Sequence, residues 1–308
     1  MVLLRVKLRL EAEYQLTAKM DDGIYDNNIS LSSTEFADDY TGLAVCKTEQ
    51  QVRISLDIMA QEFKKYFEAH GLKINVKKSE HLVIGGPRTI SDIKIEGRSE
   101  AKTVKLLGII FSNKYTFDNH TTNITNKISS RLGMLTKVVP YADLQTAKML
   151  ADSMLVSVAT YGCEVYAVEK GLVNKVQVKL NQVMRIITSS GIRRQIREML
   201  DDLKWLKFEE MVKYTKIMIM SKLTFNNSAP FCKMLVVRGM SQRQDHYNVR
   251  QRELRIAWRP RTSRRGQQSF LVSALKLYND SKVAGKGIET DKDKMKEAVK
   301  SAIISWRK

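Results

Sequence analysis

The residues in this chain best placed to do chemistry are two adjacent carboxylates, Asp38 and Asp39. Like charges held that close raise each other's pKa, so the ionised pair is unfavourable unless a cation sits between them. A hard divalent ion such as Mg²⁺ or Mn²⁺ reverses the penalty. It binds carboxylate oxygens and keeps water and substrate phosphates as its remaining ligands. Ions held in this way activate a hydroxyl nucleophile and stabilise the leaving group in phosphoryl transfer. The dipeptide alone says little, because Asp21-Asp22 and Asp201-Asp202 repeat it and turns favour Asp for local hydrogen-bonding reasons. Its surroundings set Asp38-Asp39 apart. Only there do the acids follow an aromatic and a small residue, Phe36-Ala37, lie between apolar runs, and precede a helix.

Elements that would position the pair can be read on either side. Val2 to Leu10 alternates as an amphipathic strand, Met20 to Ser33 reads as an Asp/Asn/Gly/Ser-rich loop, and Glu35 to Val45 reads as a strand–turn–strand hairpin. The flank Ser32-Ser33-Thr34-Glu35 is more polar than a buried strand should be. Leu56, Met59, Phe63 and Phe67 recur at helical spacing, so Thr48 to His70 is an amphipathic helix, with Gly71 as its stop. Leu72–Val76, Leu82–Pro87, Ile93–Gly97 and Lys105–Phe111 are short strand candidates. The character then changes. Ile124, Ile128, Leu132, Leu135 and Val138 make one apolar stripe, closed by Pro140, and Leu144–Tyr161, Leu172–Ser189 and Phe208–Phe225 follow as helices. Phe270–Tyr278 and Asp291–Trp306 are two more. The class expected is α+β, with a mixed first part followed by a helical subdomain.

Charge bears on partners. The chain carries 52 Lys+Arg against 33 Asp+Glu, a net +19, and a polyanion is the natural complement of such a surplus. The distribution is uneven. Met1 to Val45 holds four basic and eight acidic residues, whereas Arg238 to Arg265 holds nine arginines, no lysine, and only Asp245 and Glu253. With Tyr247 and Trp258 interleaved, that stretch reads as a phosphate-binding and stacking segment, Arg261, Arg264 and Arg265 above all; a basic linker is the competing reading. Cys46, Cys163 and Cys232 are scattered, against a disulfide framework or a cysteine zinc site. His70, His81, His120 and His246 are dispersed too, against a histidine metal site. Neither a transmembrane segment nor a signal peptide is read, so the expectation is an intracellular protein, nuclear or cytoplasmic, without a membrane partner.

At this point the chain resembles a family. Phe36-Ala37-Asp38-Asp39 is similar to the aromatic-Ala-Asp-Asp box of reverse transcriptases, especially those of jockey-like non-LTR retrotransposons. Gly71-Leu72-Lys73-Ile74-Asn75-Val76-Lys77-Lys78-Ser79 resembles the family's Gly-Leu-x-Ile-Asn-x-x-Lys-Thr segment, with Ser79 where Thr is usual. Val104 to Phe111 resembles the Leu-Gly-Val/Ile strand, the primer grip of related polymerases, and Thr116-Phe117-Asp118-Asn119-His120 the aromatic-x-x-His step before the thumb helix. Tyr278-Asn279 looks like a late Tyr-Asn segment.

The resemblance implies a partial polymerase palm over 1–117, a helical thumb-like subdomain over 118–232, and an arginine-rich C-terminal region over 233–308. It implies Mg²⁺ or Mn²⁺ on Asp38 and Asp39, with an RNA template and a DNA primer as partners. Lys77 and Lys78 are then candidate phosphate contacts, or ordinary solvated lysines. Gly108 either lets a primer end approach the backbone or marks a bulge. The family's third catalytic Asp lies on a separate strand well upstream of the box, whereas 35 residues precede Phe36 here. Asp21, Asp22 and Asp26 fall in an Asn/Gly-rich stretch, a poor scaffold for a metal ligand. The expectation is thus a C-terminal palm and thumb fragment of an RNA-directed DNA polymerase, inactive alone. The alternative is a non-catalytic, basic nucleic-acid-binding protein derived from a retrotransposon.

Overall fold

A computed structural model describes residues 2–9, 30–36, 39–45, 48–75, 78–85, 101–225, 240–242, 254–256, 269–281 and 292–307. The chain divides into two compact units, Met1–His120 and Thr121–Lys308. The class is α+β, with helices predominating over a small antiparallel sheet.

In the first unit, strands β1 (Val2–Arg9), β2 (Ser30–Phe36), β3 (Asp39–Val45), β4 (Lys73–Ile74) and β5 (Glu80–Val83) form one sheet in the order β2-β3-β1-β4, with β5 also on β1. Every pairing is antiparallel. β4 takes the Leu8–Arg9 end of β1 and β5 the Val2–Arg5 end. Ser30 to Ser33, expected as loop, belong to strand β2, where they pair with Gly42 to Val45. Their polar sequence suits an edge, since among the described residues β2 is the last strand of the sheet on that side.

Helix α1 (Glu49–Ala69) starts with a reciprocal cap. Thr48 Oγ1 accepts from the Gln51 amide at 3.3 Å, and Gln51 Oε1 accepts from the Thr48 amide at 3.2 Å. It stops at Gly71, whose φ of +72° suits a residue without a Cβ. Its buried residues Val52, Leu56, Met59, Ala60, Phe63 and Phe67 pack on Tyr40 and Ala44 of β3, with Leu72 and Val83. The approach is closest at Gly42: a Cβ there would lie 2.9 Å from Phe63 Cζ and 3.1 Å from Met59 Sδ. Tyr40 meets Phe63 and Phe67 edge-on, at centroid separations of 4.5 and 5.4 Å.

A separate hairpin, β6 (Thr103–Leu106) and β7 (Ile109–Ser112), follows. Val104 joins Leu82 and Ile84 in a small core flanked by Ala101 and Phe111. The stretch expected as one strand, Lys105 to Phe111, is therefore two strands joined by Leu107-Gly108.

The second unit holds most of α2 (Asp118–Val138), then a 3-10 turn at Val139–Tyr141 and α3 (Leu144–Ala151). A π-helical turn at Asp152–Val156 leads into α4 (Ser157–Thr160), so the single helix expected over Leu144–Tyr161 is broken. A π turn loosens the usual carbonyl pairing, and Arg131 of α2 donates to the Met154 carbonyl at 2.6 Å. Short α5 (Cys163–Tyr166) precedes α6 (Lys170–Ile187), α7 (Ile196–Leu203) and α8 (Phe208–Phe225). Strands β8 (Met240–Gln242) and β9 (Leu254–Ile256) pair antiparallel within the arginine-rich stretch. Helices α9 (Phe270–Asp280) and α10 (Lys292–Ser305) close a core on α8 built from Ile217, Met220, Leu275, Tyr278, Val299 and Ile303. Lys216 of α8, buried, donates to Ser273 Oγ of α9 at 2.8 Å, and burial pulls its ammonium below the usual lysine range.

The end of the chain is clamped to α8. Arg307 donates to Glu210 through two bonds of 2.6 and 2.5 Å, and Glu210 also accepts from the Lys207 amide at 2.8 Å. Burial pushes the Glu210 carboxyl up, but the Arg307 guanidinium and the Lys207 amide outweigh it and hold it below 4.5. A carboxylate whose pKa falls on folding stabilises above its unfolded value and loses that contribution as pH drops through its folded value. Arg307→Ala is expected to lower stability by about 2 kcal/mol at neutral pH, the scale of a charged hydrogen-bonded pair. In chemical denaturation the deficit should shrink as pH falls below 4.5; a deficit independent of pH would count against the clamp.

Candidate functional site

The sheet register fixes the surroundings of the acidic box. Phe36 of β2 is the cross-strand partner of Asp39, the last pair of that ladder, and Ala37 and Asp38 are the two residues between them. Ala37 and Asp38 lie outside the described residues, so the pair is seen through Asp39. That residue is half-buried and begins β3, directly before the buried Tyr40. On the other flank, β1 places Lys7 opposite Asp39. A centre for two divalent ions needs further carboxylates on neighbouring backbone. Lys7, by contrast, puts a cationic residue at the adjoining register position. Among the described residues no three His, Cys, Asp or Glu side chains group so as to hold a metal ion. The described residues around Asp39 therefore do not compose a two-ion centre.

The other predicted residues fall in different places. Lys77 is outside the described residues, as are Arg261, Arg264 and Arg265. Lys78 is exposed, and its amide closes a turn by donating to the Asn75 carbonyl at 3.0 Å. Ser79 Oγ donates to the same carbonyl at 2.8 Å. Asp201-Asp202, the contrasting dipeptide, ends α7, where Asp202 pairs with Arg194.

Gly108 does not mark a bulge. It follows Leu107 in the two-residue turn between β6 and β7, with φ of +86° at Gly108 and +45° at Leu107. Positive φ at both central residues is the signature of a type I′ turn, for which Asn-Gly is the usual pair. A leucine there is strained, and this one is exposed at 43%.

Sequence reading also missed how the hairpin joins α2. Phe117 packs edge-on against Phe111 of β7 at 5.7 Å. The Ile110 amide donates to His120 Nδ1 at 3.3 Å, which assigns the ring proton to Nε2. Ser112 Oγ donates to the Thr116 carbonyl at 2.8 Å and accepts from the Thr116 amide at 3.1 Å. The aromatic-x-x-His spacing thus serves a physical purpose, tying the first turn of α2 to β7.

No family model, curated protein or solved structure matches the chain. Among the described residues, no helix is long and apolar enough to cross a membrane.

Replacing Leu107 by Asn relieves the positive-φ strain, so Leu107→Asn is expected to raise stability by roughly 0.5–1 kcal/mol. Equilibrium unfolding measures this directly. A destabilised variant would mean that the interactions of Leu107 outweigh the positive-φ strain.

Proposed function

We propose that the chain derives from the reverse transcriptase of a jockey-like non-LTR retrotransposon and binds nucleic acid, an RNA template with a DNA primer, without catalysing nucleotide transfer alone. What carries the reading is the order of the quoted motifs along the chain and the elements they occupy. The acidic box spans the close of the β2–β3 hairpin, and α1 covers β3. The Gly-Leu-x-Ile-Asn segment runs from the α1 stop at Gly71 through β4 to Asn75, whose carbonyl accepts from the Lys78 amide, and Leu107-Gly108 is the tight tip of a hairpin whose β7 is bonded to α2 through Ile110 and His120. The net charge of +19 supports a polyanionic partner.

A second reading keeps the binding and gives the hairpin a purely structural task. The β1 register favours it, because the position beside Asp39 holds a lysine and not a further carboxylate.

The test uses the full chain on a primed RNA template with labelled nucleotides and Mg²⁺ or Mn²⁺. Binding is expected to weaken steeply with salt, and neutralising Arg261, Arg264 and Arg265 together should reduce the slope by about 2–3, near one per phosphate contact. No nucleotide is expected to be incorporated. A flat salt response would remove the nucleic-acid partner, and incorporation would show that the chain is a polymerase in its own right.

A further inference from the structure

No further inference is drawn: the strongest candidate, the side-chain cluster at the π turn where Lys148, Trp205 and Lys300 act on Asp152, rests only on the upward shift that burial gives the Asp152 carboxyl, and nothing among the described residues shows what it would bind.

Discussion

The first unit depends on how closely α1 can lie on β3. Gly42 leaves room for the Phe63 ring where any Cβ would meet it at 2.9 Å, and Tyr40 wedges edge-on between Phe63 and Phe67. Edge-to-face pairs of this kind contribute about 0.5–1.5 kcal/mol each beyond the area they bury. Gly42 and Tyr40 fix which face of β3 meets the helix. In a strand, a shift by one residue would exchange the faces, so this packing also fixes register. Because β3 pairs with β2 on one side and β1 on the other, its register decides what stands beside Asp39. The chemistry available at the acidic box is set by aromatic packing one residue away.

That register carries the functional reading. On β2, Asp39 faces Phe36, leaving two residues to complete the hairpin; on β1, it faces Lys7. A lysine at the adjoining register position is a different residue pattern from a cluster of acids that requires a metal. The neighbouring β6–β7 hairpin presents a strained leucine at its tip and is bonded to α2 through His120.

Much of this was legible along the chain where local periodicity governs. The α1 stripe, the Gly71 stop and the hairpin around Asp39 follow from spacing and turn chemistry alone. Other features were hidden for identifiable reasons. Leu107 disguised a turn because leucine is rarely found at positive φ, so an apolar run read as one strand. Polar Ser30 to Ser33 became strand through pairing at a sheet edge, which is not a local property. The π turn at Asp152 keeps an apolar helical pattern while changing the bonding beneath it. Val138 obeys the α2 stripe yet remains exposed, because periodicity reports which face is apolar and not whether anything covers it. The pairing of Lys7 with Asp39 joins residues far apart in sequence, and no motif around either announces it.

The most direct test is a Mn²⁺ titration of the full chain followed by electron paramagnetic resonance. With Lys7 opposite Asp39, the hairpin should bind Mn²⁺ weakly, as single ions, with no spin-coupled pair at any occupancy. Stoichiometric uptake of two ions with a spin-coupled spectrum, abolished by Asp39→Asn, would show a complete two-metal centre and contradict this reading of the site.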